Sequence, residues 1–389
     1  MSVLRTNPTG KKYKVAVGMS GGVDSSVAAH LLVEQGFDVT GVFIRCWEAK
    51  ADGCRADEDR ADAVAVATKL GIPFVTLDFI SDYKNKVIEN FYQEYSKGRT
   101  PNPDVMCNKE IKFGMFLDWA LAEGFDFIAT GHYAGVSSVP EVAKATSTTS
   151  TGSAELYLLQ GSDASKDQSY FLYTLKQEHL KKVMFPLENL KKEQVRSIAK
   201  KLNLQTYDKP DSMGICFIGE VDIKEFLHKR ISFHKGLVVD EQGEIIGEHD
   251  GIEFYTVGQR HGFRINRYVG LPLYVVGKNV EKNELIVGYA AQANVSIFSV
   301  EDLSWVGSVP AFPLKCDVRV RHLGEMHDCR VISSSSKSGA SGTTTEHKME
   351  NSLLVTLEDP IFGVAPGQSA VFYSGNKVLG GGIIGFTQR

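Results

Sequence analysis

Two cysteines sit in surroundings unlike those of an ordinary core thiol. Cys107 lies in GRTPNPDVMCNKEIKFG, where Pro101 and Pro103 impose a stiff, extended approach to a following helix. It falls at or just before the expected helix start, next to Lys109 and near Lys112. A helix N-terminus and adjacent ammonium groups both favour thiolate, so a depressed pKa and a nucleophilic sulfur are expected. Asp104 is placed either to cap that helix or to handle a proton. Cys216 lies in DSMGICFIGE, between Gly214 and Gly219, which let the backbone bend or approach a ligand closely. On the residues alone, 215–218 serves equally well as a core strand with its thiol as a small hydrophobe.

Residues 14–26, KVAVGMSGGVDSS, offer chemistry of another kind. Val15 and Val17 mark a short buried strand, the glycine pair a turn, and Val27, Ala28, Leu31 and Leu32 a helix. Strand, glycine turn and helix aim backbone N–H groups and a positive dipole end at one point, where an anion such as phosphate fits. No Gly-Lys-Ser/Thr follows as in a Walker A loop, and the dinucleotide fingerprint is absent. The pattern SGGxDS resembles the PP-loop of the ATP pyrophosphatases.

The elements that must hold these residues read as two kinds of architecture. Strands at 38–44, 74–77 and 126–130 alternate with helices at 57–70, 87–95 and 109–122. Repeated βα units imply a parallel sheet with helices on both faces, its ligands beyond the C-terminal strand ends, where Ser20, Ile44 and Gly131-His132 fall. Residues 177–204 return to helix and carry a run of lysines, either a solvated face or a phosphate-backbone surface. After about residue 219 the texture becomes short strands and turns, and from about 293 almost all β, as in a small antiparallel barrel. The expected division is 1–218, 219–292 and 293–389. Ser/Thr-rich stretches at 144–154 and 333–347 read as loop inserts between strands.

The chain has 389 residues, 43% hydrophobic and 23% charged, with net charge −4. That is an ordinary globular composition, long enough for two or three domains, and not that of a protein that coats nucleic acid. No apolar run approaches membrane-spanning length, and the opening residues lack a secretory h-region. Six cysteines in a chain without a secretory signal are expected to be reduced thiols. Cys46, Cys54 and Cys107 fit no usual metal-ligand spacing.

SGGVDSS, GRTPNPDVMCNKEIKFG, ATGHYA, KDQSYFLY, DSMGICFIGE, PGQSAVFY and LGGGII, in this order, resemble the tRNA-specific 2-thiouridylase family (MnmA/TrmU). The resemblance implies an adenine-nucleotide α-hydrolase-like PP-loop domain, a small central β-rich domain and a C-terminal antiparallel β-barrel that contacts tRNA. It implies an enzyme that replaces the 2-oxygen of the wobble uridine with sulfur. By motif, Gly18, Met19, Ser20, Gly21, Gly22, Val23, Asp24 and Ser25 would bind the phosphates of ATP. Ile44 and Gly131 would flank its adenosine, with Mg2+ brought by the nucleotide and no metal held by protein alone. Cys216 matches the family cysteine that carries a persulfide, and Cys107 its catalytic partner, the two joining in a transient disulfide. Asn102, Pro103 and Asp104 match the segment that meets the target base. His132, Lys166, Asp167, Gln168, Arg321, His322 and Gln368 match tRNA-contacting positions, although family members often have tyrosine where this chain has His322. Arg319 and Arg321, two apart on one expected strand face, favour the same docking.

The implied partners are the tRNA anticodon loop, a persulfide sulfur-donor protein and a reductant for the disulfide, with no membrane. A bacterial-type cytoplasm or a mitochondrion suits them equally. Two rival readings are another PP-loop adenylating synthetase, which would need neither thiol, and a non-catalytic tRNA-binding protein.

Overall fold

The structure, a computed structural model, describes residues 10–48, 55–138, 155–211, 214–219, 222–267, 270–333 and 352–388. The expected insert at 144–154 and nearly all of the one at 333–347 lie outside these residues, as does Cys54.

Strands β1 (Lys14–Gly18), β2 (Asp38–Arg45), β3 (Phe74–Asp78) and β4 (Phe127–Ala129) come first in the chain. Next are β5 (Ala134–Ser138), β6 (Leu156–Gln160) and the two-residue β7 (Val183–Met184). Five of them form an all-parallel sheet in the order β3-β2-β1-β4-β7. Alternation along β1 sends its side chains to two separate cores. Val15 and Val17 pack with Val27, Leu32, Val66 and Val195 from helices Val23–Glu34, Ala56–Leu70 and Lys192–Lys201. Ala16 packs on the other face with Tyr83, Phe91, Ile111 and Phe116. A central parallel strand covered on both sides has to be apolar at every position, and Val15, Ala16 and Val17 are fully buried.

The middle of the chain forms a five-stranded sheet from β8 (Gly236–Val239), β9 (Ile245–His249), β10 (Arg264–Ile265), β11 (Tyr274–Asn279) and β12 (Glu284–Gly288). The last six strands are β13 (Asn294–Trp305), β14 (Leu314–Arg319), β15 (His327–Ser333), β16 (Leu353–Phe362), β17 (Ser369–Ser374) and β18 (Lys377–Gln388). They pair antiparallel as β13-β16-β15-β14-β17-β18, and β18 pairs back to β13, closing a barrel around Phe298, Val318, Val331, Val355, Phe372 and Ile384. Closure removes the exposed edges that an open sheet of this size would present. The hairpin β5–β6 leaves the parallel-sheet region and adds to β18, Leu159 opposite Lys377 and Leu158 opposite Val378.

The three regions meet on the short segment 98–101. The Lys278 Nζ donates to the Gly98 carbonyl at 3.0 Å, and the Thr100 and Thr256 hydroxyls lie 2.9 Å apart. From the barrel, Gln368 Nε2 donates to the carbonyls of Thr100 at 2.8 Å and Pro101 at 3.2 Å, while the Thr100 N–H donates to the Pro366 carbonyl at 2.9 Å.

Candidate functional site

Directly after β1, the chain turns at Ser20-Gly21-Gly22 and enters the helix Val23–Glu34. Gly22 is the N-cap and carries no side chain to satisfy the first-turn N–H groups. The serine hydroxyls fold the turn on itself: Ser25 and Ser26 donate to the Gly22 carbonyl at 3.2 and 2.7 Å, and the Ser20 N–H donates to Ser25 Oγ at 3.1 Å. Gly21 has φ +74°, and a Cβ there would run into the backbone of Asp59. A Cβ on Gly131 would come within 2.7 Å of the Ser25 nitrogen. Glycine at these two positions lets the turn pack against the Asp59 backbone and Gly131 against Ser25, beside a helix N-terminus whose cradle fits a phosphate chain. Met19 and Val23 are buried, so their contribution to such a cradle is backbone only.

Cations and carboxylates crowd the side of this cradle. Lys192 Nζ lies 2.8 and 2.7 Å from the two oxygens of Asp24 and 2.8 Å from Asp211, and the Tyr133 hydroxyl donates to Asp24 at 2.8 Å. Lys166 and Arg196 also pair with Asp211. Partial burial alone would raise the Asp211 pKa, but these ion pairs hold it down to about 2. Lys209 bridges Asp59, Asp62 and the Gly21 carbonyl.

The two cysteines meet on the opposite side of the sheet. Cys107 Sγ and Cys216 Sγ are 3.3 Å apart. Cys107 is fully buried, and it is not at a helix start. The helix begins four residues earlier, with Pro103 at its first position and Asn102 as its N-cap, its Oδ1 accepting the Val105 N–H at 3.3 Å. The expected capping role of Asp104 is therefore wrong. Its carboxylate instead accepts the Cys216 N–H at 3.1 Å, and the Tyr83 hydroxyl donates to the Cys216 carbonyl at 2.6 Å, so this peptide is held at both ends. Phe217, next in the chain, takes φ +67°, a strained conformation for a side chain with a Cβ.

The expectation of a depressed Cys107 pKa is also overturned. Burial, and then the hydrogen bond to Cys216, push the Cys107 thiol well up. Its partner moves the other way, because the Cys107 hydrogen bond and then the Lys112 charge outweigh burial and hold Cys216 below the usual thiol range. Within the pair Cys107 donates the hydrogen bond, and Cys216 is the more acidic of the two thiols. Buried Asp104 is raised, in spite of the Cys216 N–H it accepts. A backbone path joins this pair to the cradle: Gly131 lies over Ser25, and the adjacent His132 has Nε2 3.5 Å from Lys112 Nζ.

Comparison with known proteins bears on the whole chain. Residues 13–220 match the model described as tRNA methyl transferase HUP domain, 224–289 the corresponding PRC-barrel domain, and 295–384 the aminomethyltransferase β-barrel domain. The tRNA-specific 2-thiouridylases MnmA of Francisella philomiragia and of Francisella tularensis subsp. novicida are each 44% identical to it, over 95% of this chain and 99% of theirs. The chain belongs to the tRNA-specific 2-thiouridylase family. Among solved structures, the U34-tRNA thiolase NcsA of Methanococcus maripaludis, with its [4Fe-4S] cluster, covers 59% of this chain and 68% of its own at 24% identity and TM-score 0.34.

The positions expected to contact tRNA divide into exposed and enclosed ones. Arg321 is exposed, just past the end of β14. Arg319 does not share its face: it is buried, 2.8 Å from Asp167 and over the Tyr373 ring. Asp167, 1% exposed, also accepts from Gln160, Gly161 and Ser169. Gln168 accepts the Tyr133 N–H, and Lys166 is paired with Asp211. His132 is buried between Phe113 and Phe185, and burial with nearby Lys112 keeps it neutral. The His322 ring lies 4.2 Å from that of Phe171, and burial lowers its pKa to about 4. Ile44 is buried near the end of β2.

Sequence reasoning passed over Tyr83, Tyr133 and Asp211, and left Lys192 inside a lysine run. Only Lys192 carried a signal: it stands on the helix face that also bears Val195 and Ala199, where a solvated lysine is out of place.

Proposed function

We propose that this chain is an ATP-dependent tRNA-uridine 2-sulfurtransferase acting on the wobble position. The observation that carries the reading is the contact between two sulfurs at 3.3 Å, joined through Lys112, His132 and Gly131 to a glycine cradle shaped for phosphate. The uridine 2-oxygen is a poor leaving group, and transfer of AMP from ATP onto it makes it a good one, with pyrophosphate departing from the residues 18–25. Magnesium travels with the nucleotide. Among the described residues no group of three His, Cys, Asp or Glu side chains could hold a metal. A persulfide on Cys216, loaded by a donor protein, supplies the sulfur. Cys107 then displaces it by attacking Cys216 Sγ, leaving a disulfide that an external reductant opens.

Asn102, Pro103 and Asp104 meet the base at the helix N-terminus, and the wobble uridine must leave its stack to reach them, at about a few kcal/mol. Arg321 and Gln368 face the RNA from the barrel. The enclosed positions, Asp167 above all, act by shaping that surface. Among the described residues no helix is long and apolar enough to cross a membrane. We place the enzyme in a bacterial-type cytoplasm or its mitochondrial equivalent, where tRNA and a persulfide donor coexist.

The test is nucleoside analysis of tRNA from cells lacking this chain. The expected result is loss of 2-thiouridine, its return with the wild-type chain and no return with Cys216→Ser. Unchanged 2-thiouridine overturns the proposal. Loss of a methylated nucleoside instead would favour the methyl transfer named by the matching family model.

A further inference from the structure

From Cys107 to Met115 the helix is π-helical, between α-helical turns at Pro103–Met106 and Phe116–Ala122. Such segments are rare and concentrate at functional sites. The geometric effect here is specific. Five residues of α-helix carry a side chain about 140° around the axis, so Lys112 would point away from Cys107. At the roughly 80° per residue of a π-helix, the same five residues leave it about 40° from Cys107. The nearer lysine in sequence, Lys109, is exposed and pairs with Glu110 at 3.5 Å. Lys112 instead lies where its charge acts on Cys216, Cys107 and Asp104, its Nζ 3.5 Å from His132 Nε2. Its Nζ lies 5.7 Å from the Phe217 ring centroid, directly beyond Cys216. His132, on its other side, is neutral, so no second cation competes for the sulfur.

We propose, resting on the sulfur-transfer reading above, that Lys112 is a catalytic residue of that step: its ammonium is the fixed countercharge for sulfur anions on Cys216 and then on Cys107. The terminal sulfur of the Cys216 persulfide bonds to C2 of the activated uridine, and AMP leaves with the former 2-oxygen and the electron pair of its bond to C2. Cys107, having given up its proton to solvent, then bonds to Cys216 Sγ. The bond from Cys216 Sγ to the transferred sulfur breaks, and its electron pair stays on the thiouridine. In this step Cys107 is oxidised and the transferred sulfur reduced, Cys216 having reached the disulfide level when the donor's persulfide loaded it, and a dithiol reductant restores both thiols. At each stage one negative sulfur stands beside the same ammonium. The groups facing this charge are Cys107, Lys112, Asp104 and Tyr83, with Cys46 beyond them.

Iodoacetamide alkylation of Cys107 and Cys216 in the full-length protein, followed against pH by peptide mass spectrometry, tests this without tRNA or ATP. In Lys112→Met the Cys216 midpoint should rise by roughly one to two pH units, and Lys112→Arg should restore most of it. Turnover of tRNA thiolation at neutral pH should fall at least about tenfold in Lys112→Met and recover in part as pH rises. An unmoved Cys216 midpoint in a folded Lys112→Met protein overturns the assignment. Cys107→Ser tests the lysine without altering it: with the thiol donor gone, Cys216 should still titrate below about 8.5, and a midpoint at or above that value overturns the assignment. A wild-type chain that fails to thiolate tRNA, while Lys112→Met still moves the Cys216 midpoint, overturns the proposed reaction and not the lysine's hold on the sulfur.

Discussion

The chain holds a second pair of neighbouring sulfurs, and the two pairs differ in the charge around them. Cys316 and Cys329 face each other across β14 and β15 with sulfurs 3.7 Å apart, close to the 3.3 Å of Cys107 and Cys216. Next to the barrel pair the facing residues are Asp317 and Asp328. The hydrogen bond with Cys316, burial and these carboxylates all push the Cys329 thiol far up. Cys329 also spends its proton on the Cys316 carbonyl, 3.2 Å away. Proximity is therefore shared, but the Lys112 charge acts on Cys216, whereas no cation is among the causes that move Cys329. The charge around the sulfurs, more than their separation, decides which pair can supply a nucleophile.

Removing single sulfurs is the sharpest way to break this comparison. Cys216→Ser or Cys107→Ser should lower tRNA thiolation by on the order of a thousandfold or more, whereas Cys316→Ser and Cys329→Ser should stay within about twofold of wild type. Comparable losses from both pairs in steady-state turnover would dissolve the distinction. Next in size is the backbone clamp that only the first pair possesses. Asp104→Ala removes the acceptor of the Cys216 N–H and should cost about a hundredfold in single-turnover thiolation, through misplacement of the sulfur.

Carboxylates extend the contrast to stability. Asp211, ringed by three cations, has its pKa depressed from 3.8 to about 2, so the stability it contributes is present above 3.8 and lost as pH falls through about 2. Asp317, raised by burial and by Asp328, has the opposite sign and costs stability as pH rises past its unfolded value. Thermal midpoints recorded against pH should show Asp211→Asn flattening the acid limb and Asp317→Asn slightly raising the midpoint at neutral pH. Matching slopes in the two variants would contradict the opposite charge environments. The smallest expected effect concerns two arginines on one stretch of chain. Arg321→Ala should reduce the salt slope of tRNA binding by about one and leave ATP affinity unchanged, while buried Arg319→Ala should lower the thermal midpoint.

Much of this was legible in the residues. SGGVDSS, flanked by a Val-rich strand and a helix, specified the cradle, because glycines at a strand-to-helix turn have few other uses. The parallel sheet followed from its βα repeats, but β7 did not: two residues, Val183 and Met184, carry no periodicity. The polarity of the cysteine pair was illegible for a related reason. Cys107 was read against a helix start that lies in fact at Pro103, and its pKa is raised first by burial and then by a residue 109 positions away. The π-helical register that brings Lys112 to the sulfurs has no signature in local composition. Arg319 and Arg321 looked equivalent by strand alternation, yet β14 ends between them.

The segment 98–101 is tied to Lys278 and Thr256 on one side and to Pro366 and Gln368 on the other, immediately upstream of the Asn102 cap. Both β-rich regions therefore work as masonry for the doorway through which, on the proposed reading, a uridine enters, besides any grip they have on the rest of the RNA. A chain shortened before residue 219 would lose this bracing along with its handle. Supplying the missing portion as a separate polypeptide should then revive turnover only to the extent that the doorway is rebuilt.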